Sequence, residues 1–191
     1  MHALPAPPPP APRHQLIVGV SLASIAAAMI TGSMLAVWAL QRREAIDFEG
    51  RWLPEGVVIP EVPSNVMLIA FIGVCVFAQW AHWSATRDDR GHTVLALGCT
   101  FLVSLLVVNA QLFIYTQMGL GIADGTYAAM FYGITGLFVV LMVAGLIFTV
   151  VASFRFIGGR NNRELLAAHA IYWYAMAAIY SAIWFLVYVT K

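Results

Sequence analysis

The chain has 191 residues, a net charge of +1, and a composition that is 61% hydrophobic and only 10% charged. Soluble domains average about 45–50% apolar and about 25% charged residues. That excess of apolar residues excludes a water-soluble domain, and the near-zero charge gives nucleic acid nothing to bind.

The chain opens on MHALPAPPPPAP, a proline-rich arm over residues 1–14 with no apolar surface to bury. It is expected to be solvated or extended as polyproline II. Residues 15–191 are expected to form one domain of five transmembrane helices, at about 16–40, 66–83, 94–115, 127–154 and 167–189. A helix needs roughly 20 apolar residues to cross a hydrocarbon core of about 30 Å, and all five stretches suffice. None shows the two-residue alternation of a barrel strand, so an all-α membrane bundle is predicted. The first stretch is too long for the apolar core of a signal peptide, and Arg13 is the only basic residue ahead of it.

The first helix carries Ser24, Ala28, Gly32 and Ala36 at intervals of four. Helices in lipid gain little from hydrophobicity on association and pack through small residues. This stripe predicts a helix-packing or subunit contact. Ala178 and Ala182 in the fifth helix, with Ala175 and Ser181 beside them, form a shorter version, and Gly133, Gly136 and Gly145 serve similarly in the fourth. Polar residues within the helices are few. Gln79 and His82 sit beside Trp80 and Trp83, a mixture that marks a membrane interface. Asn109 and Gln111 are deeper, and Gln111 shares a helix face with Tyr115. They are expected to bond to adjacent helices; a lipid headgroup, a quinone or a neighbouring subunit is the alternative.

Metal and haem sites need several ligands converging on one point. Here the histidines are scattered, with His92 in a connection and His169 placed near the surface where the last helix opens. Cys75 and Cys99 fall inside helices and read as small apolar residues. No catalytic, cofactor-binding or metal residue is predicted in this chain. The connections facing the N-terminus carry Arg13, Arg87, Arg90, Arg155, Arg160 and Arg163 against Asp88, Asp89 and Glu164. The other side has Arg42, Arg43, Arg51 and Lys191 against six acids. The positive-inside rule then places the N-terminus in the cytoplasm and the C-terminus outside.

The order of signals resembles subunit III of the haem–copper (cytochrome c) oxidases, in their five-helix bacterial form. RWLPEG and the link into SNVMLIA are similar to the family's W-P-P loop and the asparagine opening its next helix. QLFIY is similar to Q-x-x-E-Y, TYAAMFYGITG to Y-G-x-x-F-y-x-x-T-G, and IYWY to Y-W-H-F. Where that family carries a glutamate, this chain aligns Ala26 and Ile114. Phe138 and Leu141 stand in place of two histidines, and Tyr174 and Ala177 in place of a histidine and an aspartate. Gln111, Tyr115, Thr135, Gly136, Tyr172 and Trp173 remain, and Gln111, Tyr115 and Trp173 become candidate polar contacts to lipid or subunit.

The resemblance implies a non-catalytic component of a respiratory-chain complex of the bacterial inner membrane. Such a subunit stabilises its complex during aerobic electron transport and proton translocation. Haem and copper would lie in partner subunits I and II, and phospholipid in an interhelical cleft. A quinol oxidase or nitric oxide reductase would use the same fold. A small transporter would need repeats, broken helices and midplane polar groups, and the sequence shows no repeat and no intramembrane charge.

Overall fold

A computed structural model describes residues 14–159 and 163–190. The proline-rich arm except His14, together with Arg13, Arg160 and Lys191, lies outside the described residues. The chain forms five helices: α1 (Gln15–Glu49), α2 (Glu61–Thr86), α3 (Arg90–Met118), α4 (Thr126–Ile157) and α5 (Arg163–Ile183). A π-helical stretch, Trp184–Val189, continues α5. All five are long and apolar enough to cross a membrane, and no strand occurs among the described residues.

Every helix, α5 taken together with its π-helical continuation, is longer than its apolar stretch. The difference is largest in α1, which runs nine residues past Leu40 to Glu49. Hydropathy stops at Leu40, whereas helix propensity does not: QRREAIDFE is made mostly of ordinary helix formers, with Arg43 and Asp47 3.9 Å apart at i,i+4. The helix ends at Gly50, whose φ of 72° is left-handed and whose N–H reaches the Ile46 carbonyl at 3.1 Å. At about 1.5 Å per residue α1 is roughly 52 Å long, so its last turns stand beyond a hydrocarbon core of about 30 Å. Arg42, Arg43, Glu44, Asp47 and Glu49 are therefore helical, where the sequence boundaries left them in a connection.

The α3 start is built by Asp89. Its carboxylate accepts the His92 backbone N–H at 3.1 Å and contacts His92 Nδ1 at 2.7 Å. Those two bonds, the backbone one first, hold its carboxyl below the usual carboxylate range. A depressed folded-state pKa means the cap's contribution is present above the unfolded carboxylate pKa of about 3.9. It is lost as pH falls through the lower folded value. Protection of the His92 amide from exchange, relative to its intrinsic rate, should fall on acidification in that window, and Asp89→Ala should abolish that fall. Protection there that does not change with pH would remove this cap.

Across the same face, the Glu164 carboxylate at the α5 start accepts the backbone N–H of Leu16 at 2.8 Å and of Ile17 at 3.4 Å. One helix thus caps the positive end of another. Arg163 reaches Asp88 at 3.2 Å, tying α5 to the α2–α3 connection.

α2 packs chiefly on α3 and also on α5. α4 lies against α3 and α5, and α1 touches only α5 and α4 to any extent. The centre is aromatic. Phe71, Phe138 and Tyr180 from α2, α4 and α5 meet with centroids 5.1–6.0 Å apart. α1 is peripheral and buries only Ser24, Thr31, Leu35 and Trp38. Met34 packs against the core from the same helix, while Leu22, Ile25, Met29 and Ile30 point outward, the surface a bilayer covers.

Candidate functional site

Within this chain the predicted stripe leaves Gly32 without a close neighbour. Ser24 is buried, but Ala28, Gly32 and Ala36 are exposed. A Cβ added at Gly32 meets nothing within 4 Å. Ser24, Ala28, Gly32 and α5 residues Ala175, Ala178 and Ala182 face each other across an open apolar cleft of about 300 Å³. Within the chain, close packing falls instead to Gly145 of α4. A Cβ there would lie 2.7 Å from Tyr172 and 2.9 Å from Trp173.

Gln111, Tyr115 and Trp173 make their hydrogen bonds inside the bundle. Gln111 is fully buried, and its Oε1 accepts from the Tyr188 hydroxyl at 3.0 Å, joining α3 to the π-helical turn. Its amide nitrogen makes no hydrogen bond among the described residues. Tyr115 donates to Thr135 Oγ1 at 2.8 Å, and Thr135 donates to the Phe131 carbonyl at 2.6 Å. The π-helical turn also receives Trp38 Nε1 at the Leu186 carbonyl, 3.2 Å away. Trp184 donates to Asn65 at 2.8 Å, and Tyr180 to the Ser64 carbonyl at 2.9 Å. These bonds fasten the last two turns of the chain to α1, α2 and α3.

His169 corrects the sequence-based expectation of a superficial histidine: it is fully buried. α5 starts at Arg163, four residues ahead of the apolar stretch, so His169 stands in its second turn and turns inward onto α4. Its Nε2 lies 2.9 Å from Thr149 Oγ1 and 3.0 Å from Trp173 Nε1. An indole N–H only donates, so Nε2 is the acceptor and the ring proton sits on Nδ1, an assignment made from the bonding network. Nδ1 has no partner. Thr149 Oγ1 also bonds the Gly145 carbonyl at 2.9 Å, and Cys75 Sγ approaches the Trp173 carbonyl at 3.8 Å. The pairing was invisible in sequence because Thr149 and His169 lie on different helices. The only signal available was a lone hydroxyl in α4 at the depth of a lone imidazole in α5.

Chemically this interior offers packing and hydrogen-bonded closure. Among the described residues no group of three or more His, Cys, Asp or Glu side chains can share a metal ion. Ile114 and Phe138, aligned with ionisable residues of the resembled family, are core residues with 0% and 1% exposure.

Together these features define a multi-pass helical membrane protein whose helices are tied by a few interhelical hydrogen bonds. Over residues 13–191 the sequence matches the family model described as Cytochrome c oxidase subunit III, and the chain belongs to that family. It is 25% identical to a probable cytochrome c oxidase subunit 3 of Rickettsia bellii, covering 93% of this chain and 69% of the relative. Identity is 27% to cytochrome c oxidase subunit 3 of Drosophila yakuba, over 76% of this chain and 56% of the relative. It is 31% to that of Gallus gallus, over 69% and 52%. The chain thus spans little more than half the length of the animal relatives.

Proposed function

We propose that this chain serves as the non-catalytic subunit III of a respiratory haem–copper oxidase of the cytochrome c oxidase type. It stabilises a catalytic subunit I, which holds the haem and copper together with a copper-bearing subunit II, and it supports the lipid and proton-entry surroundings of that subunit. The observation that carries this function is the inward closure of the polar groups combined with an unfilled small-residue cleft between α1 and α5. The α1 face of Ser24, Ala28, Gly32 and Ala36 is the contact for the partner, and phospholipid chains cover the outward apolar faces. The bacterial relative and the arginine bias support an inner-membrane location with the N-terminus in the cytoplasm.

Gly32→Leu tests the contact. Since a Cβ at Gly32 meets nothing within the chain, the variant should insert and fold as the parent does. Copurification with the haem-bearing subunit should fall severalfold, because the side chain fills the cleft a partner helix would occupy. Unchanged assembly after this substitution would remove the cleft as the contact.

A further inference from the structure

A second cleft, of about 500 Å³, lies on the face opposite the N-terminus, between the projecting end of α1, the 51–55 loop and the start of α4. Its volume falls within the usual range for ligand sites, about 300–1,000 Å³. The walls are acidic. Glu44 and Glu49 of α1, Glu55 of the loop and Asp124 before α4 all line it, with Arg51 as the one cation among the described lining residues. Arg51 is ion-paired to Glu55. Asp124 accepts the Gly121 N–H at 2.6 Å. Glu44 and Glu49 have no ion pair among the described residues.

Two buried donors lie among the lining residues, and they are independent of the acids. Trp52 and Tyr127 both line the cleft, with 9% and 4% exposure. Their ring centroids are 5.4 Å apart, and both pack on Trp38 at 5.1 and 5.2 Å. Trp38 has a carbonyl acceptor, whereas Trp52 Nε1 and the Tyr127 hydroxyl are buried with no hydrogen-bond partner. Buried polar side-chain atoms are partnered in the large majority of cases, so two orphans beside one cleft point to a missing acceptor.

The occupant must therefore supply positive charge and hydrogen-bond acceptors together. A polyamine would leave the indole and phenol unpaired. An inorganic anion would be repelled by the carboxylates. The acids do not converge tightly enough to hold a metal ion. A zwitterionic headgroup brings one ammonium to three carboxylates that Arg51 does not neutralise. An extended basic peptide brings both: cationic side chains, and backbone carbonyls as acceptors.

We propose that this cleft docks a basic, extended segment of a protein domain outside the membrane. Glu44, Glu49 and Asp124 receive lysine or arginine side chains, and Trp52 Nε1–H and the Tyr127 hydroxyl donate to the segment's carbonyls. The site is formed by this chain alone and goes beyond the scaffold role proposed above.

The test uses the full chain in lipid nanodiscs and a capped hexapeptide alternating lysine or arginine with glycine. A glutamate-for-lysine/arginine version is the control. The basic peptide should bind and the acidic one should not. Glu44→Gln with Glu49→Gln should weaken binding about tenfold or more. Tyr127→Phe, which keeps the ring and the charge, should weaken it about threefold to tenfold, and this loss should persist at physiological salt. Binding that ignores Tyr127→Phe and vanishes with salt would reduce the cleft to diffuse electrostatics and overturn the proposal. So would displacement of the peptide by phosphoethanolamine at lower concentration than the peptide itself requires, which would assign the cleft to a lipid headgroup. Circular dichroism of each variant confirms that the helices are retained, and the glutamine pair carries the test should Tyr127→Phe lose them.

Discussion

Replacing Gly145 by leucine should prevent α4 from packing on α5. Even a single Cβ at this position falls 2.7 Å from Tyr172 Cε1, 2.9 Å from Trp173 Cη2 and 3.1 Å from Trp173 Cζ2. Neither ring is free to retreat. The Tyr172 hydroxyl is bonded to the Leu141 carbonyl at 2.6 Å, and Trp173 Nε1 is shared between His169 and Thr149 at 3.0 and 3.2 Å. Overpacking a filled core costs about 1–3 kcal/mol and occasionally more, and breaking the buried trio adds to it. Gly145→Ala is expected to cost about 1–3 kcal/mol, and Gly145→Leu to yield little folded protein. Unfolding by denaturing detergent, followed by far-ultraviolet and tryptophan signals, measures both. A Gly145→Leu chain with parental stability would show that α4 and α5 are not seated as described.

The second large effect is at Gln111. Gln111→Leu removes the acceptor of the Tyr188 hydroxyl and leaves that hydroxyl buried, since Tyr188 is only 2% exposed. An orphaned buried donor costs about 1–3 kcal/mol in water-soluble proteins, and interhelical hydrogen bonds in lipid average nearer 0.6 kcal/mol. A loss of about 1 kcal/mol is therefore expected. Tyr188→Phe made in the Gln111→Leu background should recover part of it, because both partners are then apolar. A double-mutant cycle isolates the pair. Strict additivity of the two substitutions would mean that the two side chains do not interact.

The contrast between these sites explains what sequence could and could not supply. Five crossings were legible because apolar length is what a bilayer selects. Helix ends were not: Gln41–Glu49 and Glu61–Asn65 are helical but polar or mixed, and hydropathy has no term for propensity beyond the membrane. The stripe Ser24–Ala28–Gly32–Ala36 was legible as a pattern. The inward face of α1 proved to be Ser24, Thr31, Leu35 and Trp38, because lipid and protein interior are both apolar and polarity does not mark which side turns in. Partner choice was illegible for a different reason. Tyr188 and Gln111 are 77 residues apart, and Trp184 and Asn65 are 119 apart, so only the tertiary arrangement pairs them. His169 was misplaced because its depth depends on where α5 begins, and the charged Arg163–Glu164 start looked like a connection.

The proposed scaffold role assigns this chain packing and closure. In the assembled oxidase, Gln111→Leu with Tyr115→Phe should therefore leave the initial oxygen-reduction rate nearly unchanged. Removal of the whole chain should shorten the active lifetime or block assembly. The direct measurement is an oxygen-consumption trace, taken on purified complex with the parent chain, with the double variant and without the chain, from which initial rate and inactivation rate are read separately. The scaffold role predicts equal initial rates for parent and double variant, and faster inactivation or failed assembly when the chain is absent. A large drop in initial rate for the double variant, in a fully assembled complex of normal haem content, would contradict it and make the Gln111–Tyr115 region a participant in turnover.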